Sequence, residues 1–107
     1  MNENPRIEMI AATVADHSRS RMLCELMGGR ARTNKELASG AGIAPQTASV
    51  HLRHLQNAGL ITAVKSGCCD YYNIADETVA ELLERMACLT STDLLAERLA
   101  VEMCQLR

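Results

Sequence analysis

The sequence has no phenylalanine and no tryptophan, and Tyr71 and Tyr72 are its two tyrosines. Leucine, isoleucine, valine, methionine and alanine must therefore build any core, and hydrophobic residues make up 48% of the chain. A length of 107 residues suits one domain, residues 1–107. A domain of this size buries a modest fraction of its surface, so a partner subunit would add stability.

Long apolar runs and secretion signals are also missing. No run is long enough to span a bilayer, and the N-terminal MNENPRIEM lacks the basic region and apolar segment of a secretory signal. We therefore expect a cytoplasmic protein without membrane contact. Five cysteines in such a chain do not indicate a disulfide framework, so we expect buried apolar residues, metal ligands or redox thiols.

The motifs of common enzymes are absent. The sequence has no phosphate-cradling glycine loop, no paired carboxylates in a cleft pattern and no Cys–His pairing with an orienting group. We therefore predict that the chain is not an enzyme.

The chain as a whole lacks an excess of basic charge, since its formal net charge is −2. The distribution is uneven. Residues 17–73 carry seven basic and three acidic side chains, a net charge of +4, whereas the two ends together carry −6. A basic middle between acidic ends is typical of a protein whose middle binds phosphate.

Two helices are predicted in the N-terminal part of the chain, before Gly28 and Gly29. Asn4 and Pro5 are typical of the start of a helix, and apolar residues follow them at helical spacing. A second helix is predicted from about Ser18 to Met27, where two glycines end it.

A helix-turn-helix is predicted over residues 34–59. Thr33 and Glu36 form the T-x-x-E pattern of a capping box, so a third helix should begin at Asn34. A Gly-Ala-Gly turn ends it, and Pro45 is typical of the first turn of a fourth helix. That fourth helix has leucines on one face and small polar and basic residues on the other. This arrangement is typical of a recognition helix, which lies in the major groove of DNA.

A β-hairpin, or wing, is predicted over residues 60–74, where two β-prone runs surround a glycine. Asp76 should cap a fifth helix, and a sixth should begin near Asp93. The first and last helices carry apolar stripes that the core of a winged domain does not need. We therefore expect residues 1–16 and 76–107 to form a dimer interface.

Three segments resemble the ArsR/SmtB family of bacterial winged helix-turn-helix repressors. They are DHSRSRMLCELM, KELASGAGIAPQTASVHLRHLQNAGLI and VKSGCCDYYNI, and the resemblance extends from about Ala15 to Met86. It implies a mainly α fold with a small β-hairpin and a homodimer joined by its N- and C-terminal helices. It also implies that the dimer binds a palindromic operator in double-stranded DNA and leaves it when an inducer binds.

The sequence departs from the family pattern in the turn, in the wing and at the metal sites. Ala44 stands where the family often has a serine or threonine cap. Cys68 stands where the wing usually has an arginine, which leaves Lys65 as the expected wing contact with phosphate. The C-x-C of the family's third helix and the histidines of its last helix are missing, which argues against a zinc or nickel sensor of the usual kind.

The exposed side of the fourth helix is predicted to contact DNA. Gln46 can pair with adenine through two hydrogen bonds, Arg53 can reach phosphate or guanine, and Val50 can meet a thymine methyl. The predicted DNA-binding residues are Pro45, Gln46, Thr47, Ser49, Val50, His51, Arg53 and Lys65. The alternative is a solvated helix in a winged domain that serves protein contacts alone.

Two pairs of cysteines are candidates for metal binding or redox chemistry. Cys68 and Cys69 are adjacent in the wing, and a thiolate pair suits a soft metalloid such as arsenite or antimonite. Because adjacent side chains of a strand point to opposite faces, both could bind one ion only if the turn distorts. The resemblance offers Cys24 and Cys88 as a rival, since the family's persulfide-sensing branch has a cysteine pair on these two helices. In both cases, cysteines that act as small hydrophobic residues are the alternative.

The sequence thus predicts a homodimeric, DNA-binding repressor that a thiol-directed inducer releases. The inducer would be a soft metal or metalloid, or else a reactive sulfur species or oxidant. The thiol trigger rests on the cysteines alone. A regulator without metal or redox sensing and a winged-helix module that binds proteins are the alternatives.

Overall fold

The computed structural model describes residues 7–90, which form five helices and one three-stranded sheet. The elements are α1 Ile7–Ala15, α2 His17–Leu26, β1 Arg32–Thr33, α3 Asn34–Ala41, α4 Pro45–Asn57, β2 Ile61–Ser66, β3 Cys69–Ile74 and α5 Glu77–Leu89. The predicted mainly α fold with a β-hairpin is confirmed. Three features of the sequence lie outside the described residues. They are the predicted helix start at Asn4 and Pro5, the predicted sixth helix, and the fifth cysteine, Cys104. Within residues 7–90, no helix has the length and apolar character to cross a membrane.

Side-chain caps determine where α3 and α5 begin. The Glu36 amide donates to Thr33 Oγ1 at 3.3 Å, and the Thr33 amide donates to Glu36 Oε1 at 2.9 Å. The Val79 amide donates to Asp76 Oδ1 at 3.0 Å. These bonds satisfy N–H groups that the first turn of a helix leaves without an intrahelical partner. The predicted capping box and the predicted cap of the fifth helix are therefore confirmed.

The turn between α3 and α4 fixes the angle at which α4 leaves its neighbour. Gly42 has a left-handed backbone with φ of 71°, and the Ile43 amide donates to the Ala38 carbonyl at 3.0 Å. The next residue, Ala44, is the N-cap of α4 and makes no side-chain hydrogen bond to the helix. The missing polar cap predicted from the sequence is confirmed.

Replacing Ala44 with serine is expected to stabilise the protein. A serine hydroxyl at an N-cap accepts a hydrogen bond from the first turn, and caps of this kind contribute about 1 kcal/mol. Urea denaturation should therefore show a higher midpoint with an unchanged slope. Ala63→Ser, the same change at an exposed wing position, is the control and should leave the midpoint within experimental error. An unchanged midpoint for Ala44→Ser would contradict the role of this cap.

The core lies where α2, α3, α4 and the sheet meet. The inner face of α4 contributes Ala48, Leu52 and Leu55, which confirms the predicted face. Among residues 7–90, the buried hydrophobic residues are Met22, Leu23, Leu26, Leu37, Ala38, Ala48, Leu52, Leu55, Leu60, Ile61, Tyr72 and Leu83. Because Ala48, Leu52 and Leu55 pack in the core, the opposite face of α4 is exposed to solvent.

The sheet has the strand order β1-β3-β2, with both pairs antiparallel. β2 and β3 form the predicted hairpin, in which Ile61 pairs with Ile74 at the base and Ser66 with Cys69 beside the turn. The third strand, β1, was not predicted because it has only two residues and pairs with a segment far along the chain. It joins the middle of β3, at Tyr71 and Tyr72, to the start of α3.

Apolar side chains of α1 and α5 remain on the surface of the single chain. No residue of α1 is buried, and Ile7 is 70% exposed. Leu82, Met86 and Leu89 of α5 are also exposed. Leu83 is the one fully buried residue of α5, and Val79 packs against the core beside it. Part of the apolar stripe predicted for each helix is thus available to a partner surface.

Candidate nucleic-acid interface

Four predicted contact residues of α4 form an exposed row along its outer face. They are Gln46, Thr47, Val50 and Arg53. No hydrogen bond or ion pair within residues 7–90 holds Gln46 or Arg53. Their amide and guanidinium groups are therefore available for the donors and acceptors at base edges or phosphates.

Ser49, a fifth predicted contact, is already hydrogen-bonded inside the protein. Its hydroxyl donates to the Pro45 carbonyl at 3.1 Å and accepts from Asn34 Nδ2 at 2.7 Å. A hydroxyl has one proton to donate, so Ser49 can offer an outside ligand only its remaining acceptor site. The Asn34 bond, which the sequence analysis did not predict, ties the start of α3 to α4.

A second set of bonds ties α4 to the junction of α1 and α2. Arg19 Nη1 lies 3.0 Å from His51 Nδ1, and Arg19 Nε donates to the Thr13 carbonyl at 2.7 Å. The Arg19 amide donates to Asp16 Oδ2 at 3.0 Å, and the same carboxylate oxygen lies 3.8 Å from His51 Nδ1. Arg19, a residue of α2, thus joins that helix to α1 through Thr13 and to α4 through His51.

These contacts orient the His51 ring. A guanidinium has donors and no acceptor, so Arg19 donates to Nδ1 and leaves Nε2 as the ring's donor. His51 is half-buried rather than fully exposed. Its predicted role in DNA binding stays a prediction, and the structure adds that Arg19 orients the ring. This role of Arg19 could not be predicted from the sequence, because its partner lies 32 positions away.

Replacing Arg19 with lysine is expected to loosen α4. Lysine keeps the charge but cannot donate from two nitrogens held in one plane, so it cannot hold Thr13 and His51 together. We expect a loss of about 1–3 kcal/mol in the free energy of unfolding, the range for hydrogen bonds that involve a charged group. Urea denaturation measures the loss.

Arg21→Lys is the matched control for Arg19→Lys. Arg21 lies on the same helix and makes one exposed bond, at 3.3 Å to the Gly40 carbonyl. We expect its free energy of unfolding to change by less than about 0.5 kcal/mol. Equal effects of the two substitutions would contradict the special role of Arg19.

Two capping carboxylates also respond to pH. The backbone hydrogen bond from Arg19 lowers the pKa of Asp16, and the backbone hydrogen bond from Thr33 lowers the pKa of Glu36. A lowered pKa in the folded state contributes stability above the unfolded values, 3.8 and 4.5, and that contribution is lost as the pH falls through the folded values. The caps therefore act fully at neutral pH.

The wing offers less positive charge than its lysine suggests. Lys65 is exposed on β2, and its cross-strand partner in the register is Asp70 of β3. Side chains at paired positions lie close together, so the carboxylate offsets the field of the ammonium. Lys65 stays a predicted phosphate contact, with a carboxylate as its neighbour.

The helix cysteines do not line the same cavity. Cys24 lines an apolar cavity of about 230 Å³ between α2 and α5, together with Leu83, Met86 and Ala87. Cys88 is exposed and is not part of that lining. It follows Ala87 by one residue, so the helix turns it about 100° away from the cavity. Pairing of Cys24 with Cys88 stays a prediction.

The wing cysteines do line one cavity. Cys68 and Cys69 are free and exposed, and both border a cleft of about 300 Å³. Its other walls include Asn34 and Lys35 of α3 and Ser49 of α4. The cleft thus lies between the wing and the helix-turn-helix. Among residues 7–90, no group of three or more histidine, cysteine, aspartate or glutamate side chains is placed to hold a metal ion.

Comparison with protein families places a helix-turn-helix domain at residues 14–64. The chain is 45% identical, over 78% of its length, to the uncharacterized HTH-type transcriptional regulator YdfF of Bacillus subtilis. It is 33% identical, over 73% of its length, to the "Probable mercury resistance operon repressor" of Streptomyces lividans. The chain spans 37% and 62% of the lengths of these two relatives.

Solved structures of similar fold include two regulators. One is the homodimeric winged helix-turn-helix DNA-binding domain of Mb0332 from Mycobacterium bovis, a possible ArsR-family regulator. Its TM-score is 0.70 at 26% identity, and the match covers 83% of this chain and 88% of that chain. The antimony-specific transcriptional repressor AntR has a TM-score of 0.67 and 28% identity, with 78% and 75% covered. The relatives are transcriptional regulators rather than enzymes, which confirms the non-enzymatic prediction.

Proposed function

This chain belongs to the ArsR family of winged helix-turn-helix transcriptional regulators, and on that basis we propose that it is an operator-binding repressor. It binds a palindromic operator as a homodimer, with α4 in the major groove and the wing beside the phosphate backbone. A thiol-directed inducer releases it from DNA. The observation that carries the proposal is the outer face of α4, where Gln46 and Arg53 are exposed and their side chains make no hydrogen bond or ion pair within residues 7–90.

Charge supports DNA as the ligand of this face. The net charge of +4 belongs to residues 17–73, which contain α2, the helix-turn-helix and the wing. Phosphate contacts supply most of the sequence-independent affinity for DNA, and base contacts supply the specificity. The basic residues of this segment can therefore contact phosphates, and the exposed polar side chains of α4 can contact bases.

The apolar surfaces of α1 and α5 support the homodimer. Ile7 and Ile10 of α1 and Leu82, Met86 and Leu89 of α5 are exposed in the single chain. Burial of such side chains against a second copy is favourable, at about 25 cal/mol per Å² of apolar surface. The domain of Mb0332, which has the same fold, is homodimeric. We therefore propose residues 1–16 and 76–107 as the dimerisation segments and residues 34–59 and 60–74 as the helix-turn-helix and wing.

The five cysteines support a thiol-directed inducer. Soft thiolate ligands favour soft metals and metalloids. The names of two similar proteins, the mercury resistance repressor and the antimony-specific repressor, refer to elements of this kind. A reactive sulfur species or an oxidant that modifies Cys24 or Cys88 is the second candidate. A variant with serine at all five cysteines should bind the operator and ignore every inducer of these classes, and a normal response would exclude the thiol trigger.

Salt dependence of DNA binding tests the proposed function. The probe is a fluorescent duplex from the promoter region of the protein's own gene, followed by anisotropy. Affinity should fall by roughly two orders of magnitude between about 50 and 200 mM salt if about four phosphates are neutralised. Absence of binding at low salt would contradict the proposal and favour a winged-helix module that binds proteins.

A further inference from the structure

A single side chain, that of Arg19, bridges helices α1 and α4. Its Nε donates to the Thr13 carbonyl at 2.7 Å, and its Nη1 lies 3.0 Å from His51 Nδ1. Thr13 belongs to the last turn of α1, where backbone carbonyls have no partner within the helix. A positive side chain at that end also interacts favourably with the helix dipole. One guanidinium therefore caps α1 and holds α4.

Apolar packing contributes little to the connection between α1 and α4. No residue of α1 is buried, and Val14 packs only partly against the core. A cavity of about 360 Å³ lies between the two helices, with walls that include Ile10 of α1 and both His54 and Asn57 of α4. The two bonds of Arg19 therefore carry much of the connection that fixes the angle between these helices.

A small change in this angle has a large effect at the DNA. Half-site centres of a dimeric helix-turn-helix protein lie about 34 Å apart, so each recognition helix lies roughly 17 Å from the two-fold axis. A rotation of about 10° at that radius displaces the helix by roughly 3 Å, close to the rise of one base pair. A recognition helix that is free to rotate by this amount accepts half-sites at more than one spacing.

We propose that Arg19 is a positioning residue that sets the spacing of the operator half-sites. It holds α4 at one angle to α1 through His51 and Thr13, and α1 belongs to the proposed dimer surface. Lysine at this position cannot hold both partners, because it lacks the planar set of donors of a guanidinium. The spacing role rests on the proposed function, in which a homodimer binds an inverted repeat through α4.

Operator duplexes with altered spacers test this role. The unchanged protein first selects an inverted repeat from a pool of random DNA duplexes. The spacer of that repeat is then lengthened or shortened by one base pair, and a duplex with a single half-site is made as well. Anisotropy measures the dissociation constant for each duplex, at a temperature where circular dichroism shows the proteins to be folded.

Four variants are compared with the unchanged protein. Arg19→Lys breaks the bridge, and Arg21→Lys is its matched control on the same helix, with one exposed bond to the Gly40 carbonyl. His51→Leu removes the acceptor on α4. His51→Asn also removes the imidazole but supplies an amide oxygen near the position of Nδ1, so it should restore the bond to Arg19.

We expect the unchanged protein, Arg21→Lys and His51→Asn to bind the altered spacers on the order of tenfold more weakly than the selected spacer. For Arg19→Lys and His51→Leu this difference should fall below about threefold, because α4 can then adapt to either spacing. The affinity of Arg19→Lys for the single half-site should stay within about threefold of that of the unchanged protein, because its recognition face is intact.

A tenfold difference that persists in Arg19→Lys or His51→Leu would overturn the spacing role. So would a lost difference in Arg21→Lys, or a His51→Asn variant that behaves like His51→Leu. If Arg19→Lys does not fold, the comparison of the two His51 variants decides. A pool that stays random with the unchanged protein would refute the proposed function and the spacing role with it. A repeat that all five proteins bind with the same spacing preference would refute the spacing role alone.

Discussion

Alanine at both Gln46 and Arg53 is expected to weaken operator binding by roughly a thousandfold. The two side chains are exposed on the outer face of α4 and make no hydrogen bond or ion pair within residues 7–90, so their polar groups are available for DNA. A good base contact contributes about 1–3 kcal/mol, and a homodimer presents each side chain twice. Four contacts at about 1 kcal/mol each give about three orders of magnitude in the dissociation constant. Anisotropy titration at fixed salt measures the change.

The control for this double variant is Gln56→Ala, which removes a glutamine from an exposed position at the far end of α4. We expect its operator affinity to stay within about threefold of the unchanged protein, and both variants to keep their urea midpoints because surface changes are small in energy. Equal affinities for the control and the double variant would contradict the assignment of α4 as the recognition helix.

Replacing Leu52 with alanine is expected to cost about 2–5 kcal/mol in the free energy of unfolding. Leu52 is 1% exposed and lies on the inner face of α4. Its removal leaves a cavity where α4 meets the core, and the loss includes both the transfer of the side chain and the unfilled space. A domain of this size has a stability of the same order, so part of the population should unfold at physiological temperature.

Urea denaturation at one fixed protein concentration measures this loss, since the stability of a dimer depends on concentration. Val64→Ala is the control, because Val64 is 57% exposed in the wing. Its free energy of unfolding should change by less than about 1 kcal/mol. If Leu52→Ala cost no more than Val64→Ala, the described core would be wrong around α4.

The parts of the fold that local chemistry determines could be predicted from the sequence. The start of α3 follows from Thr33 and Glu36, whose mutual hydrogen bonds span three residues. The hairpin follows from two β-prone runs around Gly67, which has the left-handed backbone that a tight turn requires. The missing cap at Ala44 was predicted from the family resemblance, because the family often has serine or threonine at that position.

Contacts between distant residues could not be predicted. The pairing of β1 with β3 joins residues about 40 positions apart, and neither residue of β1 shows a strand pattern. The bond between Arg19 and His51 depends on how α2 packs against α4. The cleft that Cys68 and Cys69 border could not be predicted either, because it depends on how the wing packs beside α3 and α4.

Some of the side chains predicted to contact DNA already have partners inside the protein, and others do not. The side chains of Gln46 and Arg53 are exposed and make no hydrogen bond or ion pair within residues 7–90, whereas the Ser49 hydroxyl already donates to the Pro45 carbonyl. Lys65 faces Asp70 across the hairpin. We therefore expect base readout to depend on α4 and the wing to contribute a small share of the affinity.

Selection of operators from a pool of random DNA duplexes tests the central claim most directly. The unchanged protein and the Gln46→Ala/Arg53→Ala variant are incubated with the same pool, and the bound duplexes are sequenced. A homodimer that reads DNA through α4 should enrich an inverted repeat whose half-site centres lie about 10–10.5 base pairs, or a multiple of that distance, apart. The variant should enrich no such repeat. A pool that stays random with the unchanged protein, or the same repeat enriched by both proteins, would contradict the account.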